Sequence, residues 1–147
     1  MDVTLARAAA LVAVLALCCA FGLFRRARDG RTRRLDTPRP PVLTAVQVGA
    51  ELGSRATLLQ FSSPFCGPCR STQRLLGQVA GDLDGVSHVE VDATRRLDLV
   101  RDLDVHRTPT VLVLDAEGRV RGRAVGVPDR AELVATLDGI CAGALRG

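Results

Sequence analysis

Residues 42–147 predict an α/β sandwich built on a mixed central sheet flanked by helices, and three observations carry that expectation. Short β-rich apolar runs alternate with segments whose apolar positions recur at helical spacing. The alternation then gives way to two adjacent runs joined by a tight turn, and one more helical stretch follows. Apolar residues make up 47% of the 147 residues, enough for a packed core. One apolar helix is expected ahead of this domain.

That first element is LARAAALVAVLALCCAFGLF, residues 5–24, behind a four-residue tip at 1–4. It is apolar except for Arg7. A helix of about 20 residues crosses the hydrocarbon of a bilayer, and Arg7 is near enough to the end to carry its charge to the headgroups. A cleaved signal peptide is the competing reading. No Ala-x-Ala-like site follows the run, and the arginines behind it resist translocation, so the sequence favours a retained, single-pass anchor. Cys18 or Cys19 as a lipoprotein site fits less well, because large residues precede Cys18. Both read as small apolar members of the helix.

Residues 25–41 read as a basic linker rich in Pro and Arg. Seven arginines stand between positions 25 and 39 against Asp29 and Asp36, and prolines 38, 40 and 41 stiffen the end. From residue 42 onward twelve arginines meet thirteen acids. The basic surplus therefore lies outside the domain, which argues against a nucleic-acid groove. The arginine asymmetry across the anchor predicts the N-terminus outside and the domain in the cytoplasm, with an extracytoplasmic domain as the alternative. Residues 5–34 would then contact membrane lipid, the arginines meeting anionic headgroups. A solvated spacer without lipid contact is the plainer reading of the same charges.

Within the domain, VLTAVQVGAELGSRA starts extended and predicts a helical turn closing at Gly53. TLLQFSS, residues 57–63, is a buried strand that Pro64 breaks. CGPCRSTQRLLGQVAGDL follows with apolar positions at 75, 76, 79, 80 and 83, one face of a helix. VSHVEVDA is a strand carrying Val86, Val89 and Val91. RRLDLVRDLDV places Leu97, Val100 and Leu103 on a second amphipathic helix. TVLVLDAEGRVRGRAVG predicts a hairpin with its turn at 115–118 and its second strand ending at Gly126. Asp129 with Glu132 three residues on resembles a capping box. Behind it, Leu133, Val134, Leu137 and Ile140 share one side of the final helix.

Cys66-Gly67-Pro68-Cys69 stands where the first strand meets the first helix, the context in which such a pair reads as a redox centre. Unpaired N–H groups and a partial positive charge at a helix N-terminus favour thiolate over thiol. Cys66 is the first residue to profit, on the lip of the turn, while Cys69 lies one helical turn behind it. Gly67 lets the chain turn closely, and Pro68 suits a first turn because no N–H is missed there. The two sulfurs fall within disulfide reach. Cys66 is thus the candidate nucleophile on a substrate disulfide, and Cys69 the resolving thiol. Zinc is the rival reading. A closed zinc site wants four ligands, and Cys141, His88 and His106 stand singly, so no metal is expected. The two histidines read as a strand residue and a loop residue without chemistry, and Cys141 as a packed apolar residue.

With the strand-CGPC-helix unit and the downstream VHRTPTVLVLDAEGRV, residues 42–145 resemble the thioredoxin family. Pro109 matches the family's cis-proline, and Val125-Gly126 matches a family position before the last helix. The resemblance implies a thioredoxin-like fold in which Pro109 is cis and lies against the cysteine pair. It also implies that the backbone at Thr108 and Pro109 pairs with an extended substrate segment. From the residues alone, Thr108-Pro109 reads only as a turn. The departures are specific. Phe65 stands where the family usually has Trp, and Ser62 replaces another Trp. Gln60 occupies the position of a buried Asp that manages the proton of the second cysteine. Gln cannot accept a proton, so slower resolution and a changed redox poise are expected. Thr108 stands where Ile is common.

The function expected is that of a membrane-anchored thiol–disulfide oxidoreductase acting on disulfide-containing protein substrates. It would use no bound cofactor and would be recharged by an unidentified electron donor. Two alternatives stand beside it: an extracytoplasmic protein of cytochrome maturation or oxidative folding, and a non-catalytic module that tethers a partner to the membrane.

Overall fold

The computed structural model describes residues 3–28, 30–34 and 41–144. Its strands are β1 (Arg33–Arg34), β2 (Ala56–Ser62), β3 (Val86–Asp92), β4 (Thr110–Asp115) and β5 (Val120–Val125), and its helices are α1 (Val3–Arg28), α2 (Ala45–Val48), α3 (Gly67–Asp82), α4 (Leu97–Asp102) and α5 (Arg130–Ala144). The strands form one sheet in the order β1-β5-β4-β2-β3. β2 and β3 run parallel and the other neighbours antiparallel, so the sheet is mixed.

β2 and β4 are central, and every residue in both is buried. That explains why their sequences read as continuous runs without polar alternation. On one face Leu59, Phe61, Leu112 and Leu114 pack with Leu99, Leu103 and Val105, beneath α2 and α4. On the other, Leu58, Val111 and Val113 pack with Leu76 and Val79 of α3 and with Leu133 and Leu137 of α5. Burial of one such side chain stabilises by about 1.5–3 kcal/mol. The helical spacing read in α3 and α5 picks out these inward positions.

Three local expectations are corrected. α2 closes at Gly49, in the left-handed region at φ 80°, rather than at Gly53. Its start is fixed by a reciprocal cap: Thr44 Oγ1 accepts from the Gln47 N–H, and Gln47 Oε1 accepts from the Thr44 N–H. On α4 Leu99 is buried, Leu103 is buried at its C-cap and Val100 packs against the same core, while Leu97 is exposed. At α5 Asp129 Oδ1 caps the Glu132 N–H, but the Glu132 carboxylate accepts from the Thr32 N–H instead of closing a capping box.

The segment ahead of the domain also departs from the sequence reading. α1 extends past residues 5–24 at both ends and takes in Arg25 and Arg28, because Arg and Ala are strong helix formers and no breaker intervenes. Its stretch Arg7–Arg25 has a mean hydropathy of 2.2 and is long and apolar enough to cross a membrane. Part of the expected linker is structured: Arg33 and Arg34 pair with Arg123 and Gly122 of β5, and the Gly30 N–H donates to the Val125 carbonyl. Pro38 and Pro40 lie outside the described residues.

The topology brings three chain segments together. The C-terminal ends of parallel β2 and β3 lie beside the N-terminus of α3, and Thr110 at the start of β4 is in register with Phe61 near the end of β2. The turn before β4 therefore lies next to the residues that follow β2.

Candidate active site

Cys66 is the N-cap of α3, with φ −90° and ψ 97°, and Gly67 and Pro68 form the first helical positions. The Cys66 N–H donates to the Ser63 carbonyl at 3.1 Å, which closes the turn after β2. Pro68 costs no hydrogen bond at this position, and its carbonyl accepts from Ser71 Oγ and Thr72 Oγ1. Cys66 and Cys69 are joined as a disulfide with a Cα–Cα distance of 5.3 Å. Cys66 is half-buried, whereas Cys69 is 4% exposed. The helix thus holds an outer and an inner sulfur at its positive end.

Around the outer sulfur, Pro64, Phe65, Gly67 and Pro68 are exposed, and Phe65 entirely so. An open groove runs from the disulfide toward β3 between Ser62, Arg70, Gln73 and Glu90. On the opposite side, Thr108-Pro109 is a cis peptide, Pro109 is buried, and Thr108 is half-buried. Thr108 Oγ1 and Ser63 Oγ are 3.1 Å apart, which ties the proline turn to the cysteine loop. The Pro109 carbonyl accepts from the Gly126 N–H at 2.8 Å. Sequence-predicted Cys66, Cys69, Phe65, Gly67, Pro68, Thr108 and Pro109 are thereby gathered at one end of the sheet.

Gln60 is fully buried under α3. Its Nε2 donates to the main-chain oxygen of Cys69 at 3.0 Å, and its Oε1 lies 3.1 Å from His88 Nε2. Burial pushes the His88 imidazole below its ordinary pKa, against an opposing pull from Glu90. Gln73 Nε2 donates to Glu90 Oε2 at 2.8 Å, linking α3 to β3 across the same region. The sequence reading assigned His88 no chemistry. The signal lay in strand register, since His88 and Gln60 come together only once β2 and β3 are paired in parallel.

Among the described residues no three His, Cys, Asp or Glu side chains are grouped to hold a metal ion. Cys141 is half-buried on α5, and Cys18 and Cys19 are exposed on α1. None of the three joins the site.

The thioredoxin family model matches residues 45–139, which include the cysteine loop, the cis-proline turn and all four longer strands. The chain belongs to the thioredoxin family. Thioredoxin H2-1 of Oryza sativa subsp. japonica is 31% identical over 85 residues, which cover 58% of this chain and 60% of that protein. The thioredoxin of Mycolicibacterium smegmatis is 31% identical over 87 residues, covering 57% of this chain and 77% of that one. In fold, the chain is similar to a reduced Schistosoma mansoni thioredoxin pre-protein, with a TM-score of 0.52 at 19% identity over 60% of this chain and 81% of the other. Thiol–disulfide oxidoreductase activity follows for the thioredoxin domain from this membership, and a Cys66–Cys69 disulfide stands at the opening of α3.

Proposed function

We propose that this chain is a membrane-anchored protein-disulfide oxidoreductase in which Cys66 is the nucleophile and Cys69 the resolving thiol. The observation that carries the reading is the disulfide between a half-buried N-cap cysteine and a buried cysteine one turn inward. Starting from the dithiol, the Cys66 thiolate attacks one sulfur of a substrate disulfide. A Cys66–substrate disulfide forms, and the other substrate sulfur leaves as a thiolate and takes a proton from water. Cys69 then loses its proton to water and attacks the Cys66 sulfur. This closes the Cys66–Cys69 disulfide and releases the second substrate thiolate, so two electrons pass to the substrate. The helix N-terminus lowers the cost of the Cys66 thiolate that begins the cycle.

Phe65 and its exposed neighbours offer an apolar lip to a protein substrate, and the main chain at Thr108 and Pro109 offers an edge for an extended segment. Neither cysteine can begin a second cycle until an external dithiol donor reopens the disulfide. The apolar stretch of α1 supports an anchor, and the arginines behind it support a cytoplasmic domain with residues 5–34 against anionic lipid. In that compartment the glutathione and thioredoxin pools keep thiols reduced, which favours the reductase direction.

Insulin reduction with dithiothreitol as donor tests the chemistry, with Cys66→Ser as control. Catalysis in the wild type and background rate in the variant is the expected result, and equal rates would remove the proposal. Orientation is read separately, by labelling single introduced cysteines at residues 2 and 147 in intact cells with an impermeant maleimide. Labelling at residue 147 and not at residue 2 would place the domain outside.

A further inference from the structure

Two hydrogen bonds in series lie beneath the cysteine pair, from Cys69 to Gln60 and from Gln60 to His88. Their directions are fixed by chemistry. The main-chain oxygen of Cys69 only accepts, so Gln60 must present its amide N–H there. Its remaining carbonyl oxygen also only accepts, so His88 must carry its proton on Nε2. Nδ1 is then the nitrogen that takes up a second proton when the imidazole becomes charged. The Gln60 amide is neither an acid nor a base in water. Following the hydrogen bonds from Cys69, the first titratable side chain is therefore His88.

We propose that His88 is a positioning residue for the inner cysteine, whose charge is linked to the redox state of the Cys66–Cys69 pair through the Gln60 amide. The charged residues on the elements around it are few. β3 carries Glu90 and Asp92, α3 carries Arg70, Arg74 and Asp82, and β2 carries none. Burial lowers the pKa of His88 below the ordinary 6.5, with Glu90 acting in the opposite sense, so the ring is neutral at pH 7 and charges on the acid side. Reduction replaces a neutral disulfide with two thiols, and the helix N-terminus favours ionisation of the outer one. That negative charge favours the imidazolium, so the pKa of His88 is higher in the dithiol than in the disulfide. By linkage, a charged His88 favours the reduced pair by the same factor, and its positive charge also eases loss of the Cys69 proton to water.

The inference rests on the pair cycling between dithiol and disulfide, as the proposed function requires. The full chain is therefore taken in detergent through both states, with alkylation mass shifts confirming each. The imidazole C–H resonances of His88 are then titrated in each state. The expected result is a His88 midpoint about half a unit or more higher in the reduced protein. A pair that cannot be cycled overturns both the function and the inference. A pair that cycles while the His88 midpoints coincide overturns the inference alone. His88→Gln, which keeps an uncharged N–H donor, gives the kinetic counterpart. Release of a Cys66 mixed disulfide should match the wild type at pH 8 and fall below it, by up to about threefold, on the acid side of the His88 midpoint measured in the wild type. An equal loss at every pH, or none, would leave His88 a purely structural residue.

Discussion

Gln60 and Cys69 are joined by a hydrogen bond of 3.0 Å from a fully buried side-chain amide to a main-chain oxygen. The amide orients the first turn of α3 from below while contributing no charge to it. Removing the N–H donor leaves the Cys69 carbonyl without this partner, and replacing the amide with a carboxyl adds a group that can take a proton. Gln60→Asp therefore sets two effects against each other. The variant is expected to lose about 1–3 kcal/mol of stability, read by urea denaturation. It is expected to release a Cys66 mixed disulfide about tenfold faster in stopped flow, as an internal base for Cys69. Release no faster than in the wild type would show that Gln60 does not limit resolution.

Asp115, at the end of β4, supports the hairpin that follows the cis-proline turn. Its side chain is 7% exposed, and its Oδ2 accepts from Arg119 Nε at 2.9 Å and from Arg121 Nε at 2.8 Å. Oδ1 accepts from the backbone N–H groups of Glu117 and Arg119. Burial alone pushes this carboxyl up, but the hydrogen bonds from Arg121 and Arg119 outweigh it and hold the pKa below 3.8. A depressed folded-state pKa contributes stability that is present above the unfolded value and lost as pH falls through the folded one. Asp115→Asn is expected to cost about 2 kcal/mol at pH 7, discounted for the half-exposed arginines. The gap between wild type and variant should close as the pH drops below the ordinary carboxylate range. A gap that stays constant with pH in thermal melts would show that the charge is not what matters.

The parts of the molecule legible in the sequence are those fixed by local pattern. The spacing of Leu76 with Val79, and of Leu133 with Leu137, marks helix faces because a helix repeats every 3.6 residues whatever it packs on. The 66–69 pair is legible because strand, turn and helix are contiguous there. Features that depend on distant segments were not legible. The pairing of Arg33 and Arg34 with β5 joins residues about 90 positions apart, and nothing in their arginine-rich composition announces a strand. His88 meets Gln60 across 28 positions, through a register set by the buried strands on either side.

Gly118 closes the hairpin turn at φ 78°, in the left-handed region. A Cβ placed there would lie 1.9 Å from the Leu43 carbonyl oxygen, which accepts no side-chain flexibility as relief because it is backbone. That carbonyl lies on the segment paired through Leu43 N–H to the Gly118 oxygen at 2.8 Å, so a clash would also strain this pairing. Gly118→Ala is therefore expected to destabilise by about 1–3 kcal/mol, and chemical denaturation measures it. A stability within error of the wild type would mean that the turn relaxes freely.

Phe65 is entirely exposed although it stands directly before Cys66, among exposed Pro64, Gly67 and Pro68. An aromatic ring in water adds nothing to the core, so its removal should leave folding stability within about 0.5 kcal/mol. The same ring can bury apolar area against a docked protein, at about 25 cal/mol per Å² removed from water. A small reagent disulfide reaches the outer sulfur without covering this lip. Phe65→Ser is therefore expected to raise KM for insulin several-fold, corresponding to about 1 kcal/mol of lost contact, with little change in kcat. Its second-order rate with a small aromatic disulfide should stay near the wild-type value. Equal losses with both substrates would assign Phe65 to the reactivity of Cys66 rather than to the reception of protein substrates.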